Sequence, residues 1–255
     1  MASRTIVLLH GVGLDRTLWD DAAERLRSEF GDDWSVLALD LPGHGARGPV
    51  PQGVTLADLA AALAPGIPPG SVVVGFSLGA LIAQHLARFR PDLVDALVSV
   101  NSVCQRTEAE RAAVLQRLAA AEQDLAASAE ASVRRWFDGT DVDPAVVART
   151  REVLLANDPD SFRRCYRVFA TADTEIGPEL GRITVPSLAL TGELDGGSTP
   201  EMSRRLAAAQ PDCRVVVVPG ARHMLPVQRP DEFISALTTF IRETSSVRSV
   251  ASPQV

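Results

Sequence analysis

Apolar residues along this chain follow two patterns that alternate. Short runs that are almost continuously apolar and rich in β-branched residues are typical of parallel strands buried on both faces. Six such runs lie at 5–9, 34–39, 71–76, 96–100, 187–191 and 214–218. Segments with the apolar spacing of helices separate them, at 18–30, 56–64, 80–89 and 200–210, with a last one at about 231–243. Strand alternating with helix predicts an α/β fold with a mostly parallel, doubly wound sheet of about six strands.

One long stretch, 104–176, breaks this alternation. It contains no strand-like run, and its Ala-, Arg- and Glu-rich sequence is interrupted at 138–144 and 157–160. This pattern predicts three or four helices inserted between the fourth and fifth strands. Because open α/β sheets bind ligands at the carboxyl ends of their strands, we expect the insertion to form a cap over a ligand site. The alternative is a helical excursion packed on a face of the sheet.

The insertion divides the chain into regions. Residues 1–103 and 177–245 are predicted to form the α/β core, with 104–176 as the helical cap. The last residues, 246–255, follow the last helical segment and are expected to form a disordered tail.

The charge balance narrows the choice of partners. With 25 basic and 32 acidic residues the formal net charge is −7, and no long basic block offers a surface to nucleic acid or to an anionic membrane. No segment reaches the ~18 uninterrupted apolar residues of a membrane span, and the first apolar run is too short for a secretory signal. We therefore expect a cytoplasmic protein that acts on a small molecule as a monomer or homodimer.

Cysteine content and motifs argue against a disulfide framework, a metal site and a cofactor. Cys104, Cys165 and Cys213 are odd in number and far apart, which is typical of reduced thiols. The chain has no metal-binding motif and no glycine-rich dinucleotide motif after the first strand. Neither a metal nor a cofactor is expected.

Ser77 lies in the sequence GFSLG, directly after the third predicted strand and before a helical segment. The small residues Gly75 and Gly79 permit a sharp strand–turn–helix that lifts the serine hydroxyl above the sheet, near the free N–H groups of the helix N-terminus. The same sequence also suits a serine that merely caps the helix. The motif alone does not decide between a nucleophile and a cap.

The partners that a serine nucleophile needs follow the last two strands. A serine hydroxyl requires a base, usually a histidine held by a carboxylate. His223 lies in the loop after the last strand, and Asp195 in the loop after the strand before it. The chain order serine, aspartate, histidine is the order of α/β-hydrolases, and all three residues lie at the same edge of the sheet.

Hydrolysis of an acyl group also needs donors for the oxyanion. Two N–H groups aimed at the carbonyl oxygen stabilise its negative charge. One is expected to be the Leu78 amide, directly after the serine. The second is expected from the loop HGVG after the first strand, from Val12 or Gly13.

Over nearly its whole length, about 4–243, the chain resembles the α/β-hydrolase fold family. The stretches that carry this resemblance are LLHGVGLDRTLWD, ALDLPGHGARG, GFSLGALIAQHLA, PSLALTGELDGGSTP and PGARHMLPVQRPDEF. The resemblance implies that Ser77 is the nucleophile, His223 the base and Asp195 the acid that orients it, beneath a helical cap at 104–176. In NDPDSFRRCYRVFATAD and LGRITVPSLALTGELD the chain is most similar to 3-oxoadipate enol-lactonases and carboxylesterase-type members. This implies hydrolysis of a small ester or lactone through an acyl-enzyme.

Cap side chains are the candidates for substrate binding. Trp136 and Tyr166 are expected to line the pocket, because ligand sites are predominantly apolar and aromatic. Arg164, one of several cap arginines, and Arg47 near the entrance are candidates for binding a substrate carboxylate, which a guanidinium group holds with two hydrogen bonds. The other cap arginines considered are Arg134, Arg135, Arg163 and Arg167. Such a site would suit a carboxylate-bearing enol-lactone.

Two other functions are compatible with the same residues. The first is hydrolysis of a carbon–carbon bond in a ring-cleavage product, as in the meta-cleavage hydrolases that share this triad. The second is a ligand-binding receptor that keeps the triad but has little turnover. Fold-level similarity does not by itself decide between them.

Overall fold

The structure is a computed structural model that describes residues 4–251, with side chains up to residue 245. Of the tail expected at 246–255, residues 246–251 continue the backbone of the last helix, and 252–255 lie outside the described residues.

Six parallel strands form one sheet, which confirms the predicted fold class. They are β1 (Arg4–Leu9), β2 (Trp34–Leu39), β3 (Ser71–Phe76), β4 (Val94–Val100), β5 (Ser187–Gly192) and β6 (Cys213–Val218). Their order across the sheet is β2-β1-β3-β4-β5-β6, and every neighbouring pair is parallel. The direction of winding therefore reverses between β1 and β3, which is where open α/β sheets place their ligands.

The core helices cover both faces of the sheet. They are α1 (Asp20–Phe30), α2 (Leu56–Leu63), α3 (Leu78–Phe89), α9 (Pro200–Ala209), the one-turn α10 (Leu225–Gln228) and α11 (Pro230–Ala251). Helices α2, α3 and α9 share one apolar cluster with Val7 and Leu9 of β1, whereas α1 and α11 share the other with Ile6 and Leu8. Successive residues of a buried strand thus enter opposite cores, which is why the strand runs are continuously apolar. None of the described helices is both long enough and apolar enough to cross a membrane.

Between β4 and β5 the chain forms a series of helices, and residues 104–176 are called the cap below. Its helices are α4 (Glu108–Gln123), α5 (Leu125–Phe137), α6 (Pro144–Leu155), α7 (Pro159–Thr171) and the one-turn α8 (Asp173–Ile176). Each of the four long helices begins at a side chain that accepts a hydrogen bond from a first-turn amide. These N-caps are Thr107, Asp124, Asp143 and Asp158. Capping residues and prolines at the first helical position explain why the helices begin where they do.

A buried ion pair joins the two ends of the cap. Arg106, just after β4, donates from Nη1 to Asp173 Oδ1 at 2.7 Å, and both side chains are 1% exposed. The same guanidinium group donates to the carbonyl oxygens of Phe169 and Ala170. A buried charge is tolerated when it is paired and its remaining donors are satisfied, as they are here.

Candidate active site

Ser77 lies at a strained turn between β3 and α3. Its φ of 54° and ψ of −111° are unusual for a residue other than glycine and indicate backbone strain of the kind found at functional sites. A Cβ on Gly75 would lie 2.2 Å from the Gly79 carbonyl oxygen, and one on Gly79 would lie 2.4 Å from the Leu9 carbonyl oxygen. The serine hydroxyl makes no capping hydrogen bond to α3. The capping role that the motif left open is therefore not observed.

Asp195 and His223 form a hydrogen-bonded pair in loops after β5 and β6. The distance from His223 Nδ1 to Asp195 Oδ2 is 2.7 Å. Asp195 also accepts from the amides of Gly197 and Ser198, and from Asn101 Nδ2 at 2.8 Å. Burial raises the pKa of this carboxyl, but His223 and these donors outweigh burial, so the net shift of its pKa is downward. The carboxylate is thus ionised and held in place.

Two aromatic rings fix the plane of the His223 imidazole. Phe76 packs against it at 5.0 Å between ring centroids, and Trp136 of the cap stacks on it at 5.6 Å. Because Nδ1 of His223 is hydrogen-bonded to Asp195, its Nε2 is available to groups in the pocket that His223 and Ser77 both line. No hydrogen bond joins these two side chains among the described residues. Such contacts commonly tighten only when substrate binds.

The oxyanion loop after β1 offers Val12 rather than Gly13. The Gly13 amide already donates to His44 Nε2 at 2.9 Å. Among the described residues, neither the Val12 amide nor the Leu78 amide has a hydrogen-bond acceptor. Leu78 directly follows Ser77, and Val12 lines the same pocket as Ser77. These two N–H groups are therefore free to bind an oxyanion.

His10 and His44 support the loops around the pocket. His10 Nε2 accepts from the Leu41 amide at 2.9 Å, and its Nδ1 lies 2.8 Å from the Gly11 carbonyl oxygen. Burial lowers the pKa of His10 to about 3 and that of His44 to about 4. Both imidazoles are therefore neutral at neutral pH, where each holds backbone groups rather than moving protons.

A known protein family matches most of this chain. Residues 6–236 match the model of the alpha/beta hydrolase family. The chain belongs to this family.

Similar proteins are named as hydrolases, esterases and lactonases. The present chain is 30% identical over 243 residues to (E)-2-((N-methylformamido)methylene)succinate hydrolase of Acinetobacter baylyi. This match covers 94% of the present chain and 90% of that protein. It is 27% identical over 251 residues to a pimeloyl-[acyl-carrier protein] methyl ester esterase of Vibrio atlanticus, and this match covers 93% of the present chain and 94% of the esterase. The crystal structure of an enol-lactonase from Burkholderia xenovorans matches with a TM-score of 0.83 at 25% sequence identity. This match covers 95% of the present chain and 92% of the lactonase chain. These findings confirm the predicted family and show a hydrolase whose relatives include an esterase and an enol-lactonase.

The pocket of the hydrolase lies between the sheet edge and the cap. Its volume is about 770 Å³ including the open mouth, and Ser77, His223 and Asp195 all line it. Trp136 and Tyr166 line it too. The remaining apolar lining comes from Val12, Leu14, Phe76, Ala129, Leu154, Phe162, Phe169 and Leu194. Residues 4–251 contain no cluster of three or more metal-ligating side chains.

The structure does not place Arg47 or Arg164 at this pocket, which corrects the expectation for both. Helix α7 directs Phe162, Tyr166 and Phe169 inward, at the spacing of one helix face, so Arg164 lies on another face. Its guanidinium group donates to the Val50 carbonyl oxygen at 2.7 Å instead. Arg47 is exposed in the turn after β2.

Other polar residues reach the site in the hydrolase. Arg117 of α4 and Arg135 of α5 line the pocket, and Asn101 donates a hydrogen bond to the Asp195 carboxylate. Arg135 is one of the cap arginines considered from the sequence, but nothing in the sequence distinguishes it from its neighbours. Asn101 directly follows β4, so its position at the edge that carries the other site residues is a signal that sequence reasoning missed.

Proposed function

We propose that this hydrolase cleaves a small ester or lactone through an acyl-enzyme on Ser77. The observation that carries the proposal is the 2.7 Å pair of His223 Nδ1 and Asp195 Oδ2 at the pocket that holds the strained serine. Carboxylate, imidazole and hydroxyl in this arrangement are the parts that nucleophilic acyl transfer requires.

The reaction uses each group in turn. Nε2 of His223 takes the proton of Ser77 as its Oγ attacks the carbonyl carbon, and the amides of Val12 and Leu78 bind the resulting oxyanion. The protonated imidazole then gives its proton to the leaving oxygen. In a lactone that oxygen remains attached to the acyl group. A water molecule activated by His223 finally hydrolyses the acyl-enzyme, releasing the acid and restoring the serine.

The relatives support a small acyl substrate. An enol-lactonase and a methyl ester esterase are both similar to this chain over more than nine-tenths of its length. The finer candidate, a carboxylate-bearing enol-lactone, is supported by a mainly apolar pocket that also contains arginine side chains.

Initial rates on short p-nitrophenyl esters and simple lactones test the proposal. Ser77→Ala is expected to lower kcat by roughly 10⁴-fold or more, because the nucleophile is lost. The turn accepts the smaller side chain, so the circular dichroism spectrum should be unchanged. Ser235→Ala, at an exposed serine on α11, is the matched control and should keep full activity.

Two results would contradict this assignment. Ester hydrolysis that persists at the wild-type rate in Ser77→Ala would place the chemistry elsewhere. Turnover of a meta-cleavage dienone, with esters and lactones left intact, would move the protein to carbon–carbon bond hydrolysis.

A further inference from the structure

The arginines of the cap differ in whether a carboxylate neutralises them. Of the ten arginines in 104–176, seven form an ion pair with an aspartate or glutamate. These seven are Arg106, Arg111, Arg149, Arg151, Arg163, Arg164 and Arg167. The other three, Arg117, Arg134 and Arg135, have no carboxylate partner among the described residues. Two of these three, Arg117 and Arg135, line the catalytic pocket.

Arg135 is positioned but keeps free donors. Its Nη2 donates to Ser132 Oγ at 3.0 Å, and the guanidinium carbon lies 5.8 Å from the centre of the Trp136 ring. Ser132 and Trp136 also line the pocket. A guanidinium group has five N–H donors, and Arg135 uses few of them within the protein. It is thus oriented at the pocket with donors to spare.

Arg117 brings a second positive charge to the same wall. Among the described residues its side chain makes no hydrogen bond and no ion pair. The two charges are close enough to interact, since burial and then the positive charge of Arg117 lower the pKa of Arg135, against the opposing effects of Tyr166 and Asp195. A guanidinium group stays charged in proteins. Among the described residues, no aspartate or glutamate of the cap forms an ion pair with either of these two arginines.

The rest of the pocket lining adds a third arginine, Arg222, and a single carboxylate. Asp195 is the only carboxylate in the lining, and His223, Asn101 and two backbone amides already occupy its oxygens. Elsewhere in the cap, every arginine except the exposed Arg134 is paired with an acidic side chain. Two unpaired like charges beside a mainly apolar pocket are the arrangement expected of an anion site.

We propose that Arg117 and Arg135 form a subsite that binds a carboxylate of the substrate. The hydrolase then prefers esters and lactones that carry a free carboxylate, such as half-esters of dicarboxylic acids, over neutral ones of the same shape. This inference rests on the proposed acyl transfer at Ser77, because the carboxylate is held while the serine attacks another carbonyl of the same molecule.

A matched pair of esters tests the preference. Mono-p-nitrophenyl adipate carries the carboxylate, p-nitrophenyl hexanoate lacks it, and Ser77→Ala gives the background rate for each. Wild-type kcat/KM is expected to be at least about tenfold higher for the anionic ester. Arg117→Gln and Arg135→Gln should each lower kcat/KM for that ester by about 10- to 100-fold, mainly through KM, and change the neutral ester by less than about threefold.

The controls separate charge recognition from folding. Arg134→Gln, at the exposed neighbour of Arg135 on α5, should alter neither substrate. The double variant should unfold at a temperature no lower than wild type, because it removes a repulsion. Raising the salt concentration should shrink the anionic preference of wild type but not that of the double variant.

Binding without turnover tests the subsite independently of the acyl-transfer proposal. In the Ser77→Ala background, monomethyl adipate should quench tryptophan fluorescence at about tenfold lower concentration than dimethyl adipate. Arg117→Gln and Arg135→Gln should abolish the difference.

Equal affinity for monomethyl and dimethyl adipate would overturn the proposed subsite. An equal fall in kcat/KM for both p-nitrophenyl esters in the arginine variants would overturn it too. Hydrolysis of the neutral ester would then still stand as evidence for the proposed function. Hydrolysis of either ester that does not depend on Ser77 would overturn the acyl-transfer proposal, and the binding difference would then decide the subsite alone.

Discussion

Asn101 is the residue that most clearly extends the site beyond the three expected side chains. Its Nδ2 donates to Asp195 Oδ2 at 2.8 Å, the same oxygen that contacts His223. With a φ of 46° it occupies a conformation that asparagine tolerates better than most residues. Its hydrogen bond both orients the carboxylate and lowers the pKa of Asp195. We regard Asn101 as a positioning residue that acts through Asp195.

Asn101→Ala is expected to lower kcat by about tenfold, since a hydrogen bond to a charged group contributes roughly 1.5–3 kcal/mol. KM should change by less than about threefold, because Asn101 is not among the residues that line the pocket. Asp195→Asn should cost far more activity. A rise in KM as large as the fall in kcat would contradict a role confined to positioning Asp195.

The buried histidines make stability depend on pH. In the unfolded chain both imidazoles titrate near 6.5, whereas burial lowers the folded pKa to about 3 for His10 and about 4 for His44. Between pH 6.5 and about 4 the unfolded state binds up to two more protons than the folded state. The free energy of unfolding is therefore highest above pH 6.5 and falls as the pH drops. Near pH 5 the slope should approach roughly 2.7 kcal/mol per pH unit.

Urea unfolding at pH 7, 6 and 5 measures this slope. His44→Gln removes one of the two groups and should nearly halve it. In NMR titrations of the folded protein, two histidine signals should not shift between pH 8 and 5. A stability that is flat over this range would contradict the assignment of both histidines as buried and neutral.

At the scale of elements, the cap is fixed to the catalytic loops at two points. Gln228 of α10 donates to the Trp136 carbonyl oxygen at 2.6 Å and accepts from the Arg222 amide at 2.8 Å, next to His223. On the other side, Asn157 of the cap donates to the Gly13 carbonyl oxygen at 2.8 Å. The cap therefore helps to hold both the histidine loop and the oxyanion loop.

Gln228→Met tests the first of these contacts. The variant keeps the shape of the side chain but leaves two buried backbone groups unpaired, which should cost about 1–3 kcal/mol of unfolding free energy and lower kcat more than it raises KM. Gln210→Met is the matched control, because Gln210 is buried and its amide has no hydrogen-bond partner among the described residues. Equal effects of the two substitutions on kcat would show that Gln228 does not position the histidine loop.

Element boundaries explain what the sequence could and could not predict in the cap. The breaks at 138–144 and 157–160 mark the starts of α6 and α7, because capping and proline signals are local. Which face of a cap helix meets the pocket depends instead on how the helix rotates against its neighbours. Arg164 and Arg135 are therefore indistinguishable in sequence, although only Arg135 lines the pocket.

At the scale of the whole molecule, topology explains why the predicted triad residues lie at one pocket. Parallel strands place all their carboxyl ends at one edge, so Ser77, Asp195 and His223 could be expected to converge from three separate strands. The continuous apolar runs follow from burial on both faces, as Ile6 and Val7 entering opposite cores illustrate. The same reasoning could have pointed to Asn101, which directly follows β4. Arg117 could not be assigned in this way, because its role depends on side-chain contacts that periodicity does not report.

The central claim is a covalent acyl-enzyme on Ser77, and it can be observed directly. The protein would be mixed with p-nitrophenyl butyrate, quenched in acid within the first turnover, and analysed by intact mass and peptide mapping. We predict one butyryl group per chain, located on the peptide that contains Ser77 and absent from Ser77→Ala. Rapid turnover with an acyl group on another residue, or with Ser77→Ala as active as wild type, would contradict the account.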